Sequence, residues 1–319
     1  MADDTQEVTI ANGPARARVL SYGATLADFR LAGVDHALVL GSPDARAYRG
    51  PMRYFGAIVG PVANRVSHGR ASLDGTTLQL DINENGNTLH GGPNGLSQQV
   101  WAVTASSAQS VTLGLTLADG EGGLPGPLEI SVTYAIDGVG ALGIEITAES
   151  ERPTLCNPAF HGYWSLTGTG LAGHRLTVDA DAYLPTDAAL LPTGEVAPVA
   201  GTGYDLRRPV ALPPAVDLDT NFCLNGNGMR AVARLETDRL AMTLETDAPG
   251  LQIYDAARLD TAPAGGHHGA PYGAHAGLAL EPQSWPDAPN HPEFTQITLR
   301  PGAVFRQSTR FCFTDKDRP

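Results

Sequence analysis

Lysine is almost missing from this chain of 319 residues: Lys316, in a polar tail, is the single example. Schiff-base aldolases, pyridoxal enzymes and P-loop phosphotransferases need an ordered lysine inside the fold, so these chemistries are excluded. Positive charge is scarce altogether, and the formal net charge is -13. A basic nucleic-acid footprint and a polybasic membrane anchor are excluded with it. Cysteine is rare too, and Cys156, Cys223 and Cys312 form an odd set with no short spacing. They suit buried free thiols in a reducing compartment, not a disulfide framework. No run approaches the roughly 18 apolar residues of a membrane-spanning helix. Residues 1–6 are polar and acidic, without the apolar centre of a secretion signal. The expectation is a soluble cytoplasmic protein, monomeric or homodimeric.

What the chain does have is turns between short alternating segments. Hydrophobic residues make up 42%, charged residues only 17%, and there are 37 glycines and 24 prolines. Period-2 patterns occupy residues 103–117, 128–136, 142–148, 176–178, 232–235, 240–246, 297–299 and 305–313. Turn signals such as Asp74-Gly75, Asp119-Gly120, Asp137-Gly138 and Pro301-Gly302 separate them. The spacing predicts an all-β fold, a large antiparallel sandwich. A short helical turn is expected over residues 42–49, and no long amphipathic helix. No linker or repeat interrupts the chain, so residues 1–319 read as one domain.

Several polar residues stand where structure alone does not need them. Glu281 follows the apolar run Ala276-Gly277-Leu278-Ala279-Leu280 and precedes Pro282, Pro286 and Pro289. Those prolines predict that the strand breaks at Glu281 into a stiff loop, leaving a carboxylate at a loop mouth. It is either a catalytic group or a cap on a turn. His161 lies among aromatics in Ala159-Phe160-His161-Gly162-Tyr163-Trp164, where apolar surroundings hold an imidazole neutral. It is a proton-transfer group or a satisfied core histidine. His90 ends the polar loop Asn83-Glu84-Asn85-Gly86-Asn87-Thr88-Leu89 and serves a turn or a polar ligand. Arg65, after Gly60-Pro61-Val62-Ala63-Asn64, either donates to a ligand oxygen or pairs with a buried carboxylate. His267, His268 and His275 suggest a metal, but adjacent strand residues point to opposite faces. Of the tryptophans, Trp101 reads as core, while Trp164 and Trp285 read as pocket walls.

Taken in order, these segments resemble the aldose 1-epimerase (galactose mutarotase) family over most of the chain. Gly60-Pro61-Val62-Ala63-Asn64-Arg65-Val66 is similar to that family's G-R-x-A-N-R-I, and residues 83–92 are similar to N-x-x-x-N-x-L-H-G-G. Pro192-Thr193-Gly194-Glu195, Asp205-Leu206-Arg207 and Asp219-Thr220-Asn221-Phe222 follow, then Glu281 with Pro286-Asp287-Ala288-Pro289-Asn290. The resemblance implies a β-supersandwich with few short helices and a pocket for a free monosaccharide. It implies interconversion of α and β anomers without cofactor or metal. Position by position, Glu281 matches the general base and His161 the general acid. Arg65, His90, Asp219 and Asn64 match substrate-binding positions.

Ring opening of a hemiacetal needs one proton taken from the C1 hydroxyl and one given to the ring oxygen. A carboxylate and an imidazole suffice. Departures cluster around the expected pocket: Pro61, Ala159-Phe160 before His161, Thr220, and Asp255-Ala256-Ala257 where many members read T-G-N. Phe160 is expected to narrow the site toward a pentose or 6-deoxy sugar. Three other readings stand beside this one: a non-catalytic carbohydrate-binding sandwich, a hexose-6-phosphate 1-epimerase, and a metal-dependent isomerase built on His267, His268 and His275 with Glu281.

Overall fold

The computed structural model describes residues 4–213 and 216–317. Part of the polar N-terminal stretch, residues 1–3, therefore lies outside the described residues. Two large antiparallel sheets, of nine and seven strands, carry the architecture. The nine-stranded sheet runs from Val210–Ala211 through Arg175–Val178, Arg230–Glu236, Leu240–Thr246, Phe305–Asp315, Leu142–Ser150, Leu128–Ile136 and Ser110–Leu117 to Ala102–Ser106. Its hairpins are the segments with clean alternation. Leu128–Ile136 pairs with Leu142–Ser150 residue by residue, and the apolar members Ile130, Val132, Tyr134, Ile144 and Ile146 share one buried face. The expected bounds of 128–136 and 240–246 agree with the observed strands.

The seven-stranded sheet reads Ala197–Pro198, Ala180–Tyr183, Asp219–Leu224, Gly250–Tyr254, Leu278–Gln283, Ala159–Trp164, Ala57–Val59. The last three strands in that order bury every residue, so both of their faces are covered. One face packs on the nine-stranded sheet: Phe160 meets Tyr134 and Phe311, and Trp164 meets Phe311 at a ring separation of 4.5 Å. The other face carries His161, Tyr163 and Glu281. A three-stranded meander, Glu7–Asn12, Ala15–Leu20 and Thr25–Leu31, adds Ile10, Val19, Leu26 and Phe29 to the same core. The anticipated helical turn is a 3-10 turn, Ala45–Arg49, started by Asp44, whose Oδ1 accepts from the Arg46 N–H.

Three expectations need correction here. Glu281 is not at a loop mouth. It lies inside Leu278–Gln283, a central strand, in which Pro282 pairs with Leu251. The strand tolerates Pro282 because its ladder to Ala159–Trp164 has already ended at Leu280–Gly162, before the residue without an N–H. Trp164 is fully buried in the inter-sheet core, and Trp285 packs on Phe294 with its Nε1–H donating to the Pro249 carbonyl. Phe160 faces the same core as Trp164, so it cannot narrow the pocket. The readings of Phe160 and Trp164 fail for one reason: His161 shares its strand face with residues two positions away, not with its neighbours.

Trp164→Ala is expected to cost about 3–5 kcal/mol by the loss of a packed aromatic. Urea unfolding reads that directly. A pocket wall would instead raise KM with little change in the unfolding midpoint.

Candidate active site

The strand register brings the two buried titratable groups together. Trp164, Tyr163 and Gly162 pair with Leu278, Ala279 and Leu280. The next position sets His161 beside Glu281, one step past the last pair. Their side chains share a face, with Nε2 of His161 3.4 Å from Oε1 of Glu281. Both are almost fully buried, at 4% and 2% exposure. Among the described residues, Nδ1 of His161 and Oε2 of Glu281 have no hydrogen-bond partner. Buried polar atoms are nearly always satisfied, so unsatisfied atoms on two adjoining side chains mark a place built to receive a polar ligand.

On the other side of Glu281 the register places Gln252, whose Nε2 donates to Oδ1 of Asp219 at 2.7 Å. Asp219 in turn lies 3.9 Å from Nη1 of Arg65. Arg65 uses Nε and Nη2 to grip Glu84, at 2.7 and 3.0 Å. The arginine therefore pairs with a carboxylate, one of the two alternatives its sequence context allowed.

His90 is positioned by backbone geometry. Asn64 and His90 both have left-handed φ, 62° and 52°, and their main chains interlock. The His90 N–H donates to the Asn64 carbonyl at 3.0 Å. In return the Asn64 N–H donates to Nδ1 of His90 at 3.1 Å. The Asn64 side chain is also engaged, accepting from the Arg65 N–H at 2.7 Å. Because an amide N–H points at Nδ1, that nitrogen carries a lone pair, and the neutral ring holds its proton on Nε2.

Asn157 ties three of these segments together. Its carbonyl accepts from Ala63, its N–H donates to the Pro61 carbonyl, and its side chain exchanges two hydrogen bonds with the Ser284 backbone. Asp287 accepts from the Ser67 N–H, and Asn290 donates to the Arg70 carbonyl. The Pro286-Asp287-Ala288-Pro289-Asn290 run thus holds the Arg65 segment in place and does not reach the pocket floor.

The resulting cavity has a volume of about 260 Å³. All six residues singled out from the sequence line it: Glu281, His161, His90, Arg65, Asp219 and Asn64. Sequence reasoning missed Tyr54, Tyr163, Glu84 and Gln252 on the same wall. Tyr163 had a signal, since it stands two residues from His161 in a strand. Tyr54 lies over both His90 and His161. No local pattern marks Gln252.

Electrostatics follow from burial. Desolvation pushes the Glu281 carboxyl well above the usual carboxylate range, and the nearby Asp219 pushes it further. Desolvation pulls His161 down to about 4. It also pulls His90 well below its ordinary value, helped by His161 and Arg65. Asp219 is raised by burial, with Arg65 opposing.

His90, His161 and Glu281 also satisfy a geometric requirement for a metal, with candidate ligand atoms within 4.8 Å of one another. The hydrogen bonding argues against that use. A metal on Nε2 of His90 would force a proton onto Nδ1, against the Asn64 N–H. Two groups would remain, fewer than the three protein ligands of a catalytic zinc site. His267, His268 and His275 do not converge: they face Asp28, the Gly168 carbonyl and the Asp255 carbonyl respectively.

A family model described as aldose 1-epimerase matches residues 6–312. Galactose mutarotase from Homo sapiens is 38% identical over 314 residues, 94% of this chain and 91% of that protein. Aldose 1-epimerase from Escherichia coli K12 is 32% identical, covering 92% and 91%. Among solved structures, an aldose epimerase homologue from C. elegans superposes with a TM-score of 0.92 at 30% identity, over 98% of this chain and 99% of that one. Galactose 1-epimerase from Lactobacillus acidophilus NCFM gives 0.85 at 28%, over 98% and 95%.

Nitrogen-detected NMR of the histidine side chains is expected to show His90 neutral, with its proton on Nε2, from about pH 7 down to about pH 5, where a solvated imidazole of pKa near 6.5 is mostly protonated. A charged His90, or the Nδ1–H tautomer, at about pH 6 would contradict the assignment.

Proposed function

The chain belongs to the aldose 1-epimerase family, and on that footing we propose that Glu281 and His161 perform the ring opening and closing that interconverts the α and β anomers of a free aldose. The observation that carries this reading is the 3.4 Å contact between two buried titratable groups that have no other hydrogen-bond partner among the described residues. The enzyme is an isomerase. Nothing is oxidised or transferred to another molecule, and the two side chains supply every proton the reaction needs.

In the closed-ring complex Glu281 is a carboxylate and takes the proton of the C1 hydroxyl. His161 is protonated and gives its proton to the ring oxygen as the C1–O bond breaks. The open-chain aldehyde then faces a protonated Glu281 and a neutral His161. Rotation about C1–C2 presents the other carbonyl face, and both transfers run backwards. The pair alternates between an ion pair and a neutral pair, with its total proton count unchanged. Burial favours the neutral pair, as the opposed displacements of the two groups indicate. That is the state accompanying the open-chain sugar, so desolvation stabilises the intermediate while contact between the groups stabilises the ion pair.

His90 has a fixed Nε2–H to donate to a sugar oxygen. Arg65 and Asp219, each held by Glu84 or Gln252, offer a donor and an acceptor to the ring hydroxyls. Asn64 acts through its backbone, orienting His90, and through its side chain, capping Arg65. We take the whole chain as one working unit, because strands from residues 57 to 283 build the sheet that bears the site. The free thiols Cys156, Cys223 and Cys312 support residence in a reducing, cytoplasmic compartment.

Glu281→Gln and His161→Gln are each expected to lower kcat by about 10²–10⁴ while unfolding stays cooperative. Polarimetry on a freshly dissolved aldose measures it, and a chelator should leave the wild type unaffected. A pair that works with one shared proton loses activity below the His161 value of about 4, where a second proton binds. It loses activity again at high pH, where the shared proton leaves. We therefore expect kcat to hold between about pH 7 and about pH 5. A fall through about pH 6.5, the range of a solvated histidine, would contradict the one-proton cycle.

A further inference from the structure

Glu281 and His161 are not alone in carrying buried polar atoms without a hydrogen-bond partner. Among the described residues, Nε2 and Oε1 of Gln283 and Oδ1 of Asn221 share that condition, and both side chains are buried. The sheet register gathers them beside the catalytic carboxylate. Asn221, Gln252 and Glu281 stand side by side across three strands, and Cys223, Gly250 and Gln283 form the next row on the same face. Gly250 leaves room between the two amides. A Cβ at Gly250 would lie 2.9 Å from Oδ1 of Asn221 and 3.0 Å from Cδ1 of Trp285. The Asn221 amide therefore overhangs the position directly opposite Gln283, and the indole closes the recess. Gln283 follows Glu281 by two positions, about 6.7 Å along the strand, a gap that two long side chains bridge.

Resting on the assignment of Glu281 and His161 as the proton-transfer pair, we propose that Gln283 is a positioning residue for Glu281, its Nε2 donating one hydrogen to Oε2 of Glu281 and the other to Oδ1 of Asn221. The inventory of donors and acceptors matches. An amide nitrogen carries two hydrogens, and the two oxygens on either side of it can accept. Oε2 keeps a second lone pair for the C1 hydroxyl. The titratable and charged groups facing Glu281 are His161, His90, Asp219, Arg65 and Tyr163. None of them donates to Oε2. Desolvation opposes ionisation of Glu281, and a neutral donor favours the carboxylate without adding a charge of its own. The amide therefore acts in the closed-ring complex, where Glu281 is ionised, and contributes little in the open-chain state, where Glu281 is protonated. Asn221 keeps the amide turned toward this side.

The test follows anomer exchange of fresh α-D-galactose and α-D-glucose by polarimetry across the pH profile, in wild type, Gln283→Met, Asn221→Leu and the double variant. Gln283→Met is expected to lower kcat about 10- to 100-fold, the range for a hydrogen bond to a charged group, with KM within about twofold. Without the donor the carboxylate is harder to form, so the shared proton leaves the pair at higher pH. The basic limb of the kcat profile then moves up by about one unit, while the acid limb, where His161 takes a second proton, stays in place. Asn221→Leu should move the basic limb the same way by less. The double variant should stay within about twofold of Gln283→Met, because both residues act through one amide. A loss of kcat with both limbs fixed, or single effects that multiply in the double variant, would overturn the proposal, as would wild-type kcat in Gln283→Met. Should Gln283→Met fail to fold, an unmoved basic limb in Asn221→Leu overturns it and a raised limb sustains it. A wild type that accelerates neither sugar, or a Glu281→Gln variant as active as the wild type, would instead overturn the underlying assignment of Glu281 and His161.

Discussion

The pairing of Gly162 with Leu280 is the constraint on which the site depends. It sets the register of two neighbouring central strands, and a side-chain period of two converts register into chemistry. A slip of one residue would send Glu281 into the inter-sheet core and bring Leu280 to the pocket. The first change buries an unpaired carboxylate in an apolar layer, at a cost no neighbouring group there could offset. The core residues of the same strands, Phe160, Trp164, Leu278 and Leu280, therefore do more than stabilise. By filling one face they force the polar residues onto the other.

Each polar group around the cavity is held by a partner of its own. Gln252 fixes Asp219, Glu84 fixes Arg65, and the Asn64 amide fixes His90. Each removes a degree of freedom that substrate would otherwise have to freeze. The left-handed backbone at Asn64 and His90 is part of this arrangement. Two reciprocal hydrogen bonds, His90 N–H to the Asn64 carbonyl and Asn64 N–H to Nδ1 of His90, accompany this sharp turn of both residues, and asparagine and histidine tolerate that conformation better than branched residues.

How much of this was legible in the sequence depended on whether a residue's signal was local. The hairpin of Leu128–Ile136 and Leu142–Ser150 was legible because one face meets the core and the other is partly exposed, giving a clean alternation. Leu278–Gln283 was not, because burial on both faces erases alternation and Pro282 imitates a strand end. Arg65–Val66 and Thr88–Leu89 are two residues each, too short for any period to register. The six site residues emerged from ordered motifs, yet their partners did not. Glu84 belonged to a recognised loop without a visible role, and Gln252 and Asn157 act across long separations that no local pattern encodes. The aromatic assignment failed on parity alone, choosing Trp164 where the pocket face holds Tyr163.

One topological detail bears on how the protein comes to exist in the cell. Phe305–Asp315 lies in the interior of the nine-stranded sheet, between Leu240–Thr246 and Leu142–Ser150, and it leaves the ribosome after both. Until it emerges, two long strands present unsatisfied backbone edges to each other across a gap, beside an incomplete apolar layer. Such edges invite pairing with other chains. The nascent polypeptide therefore has a vulnerable interval that ends only when this late strand inserts.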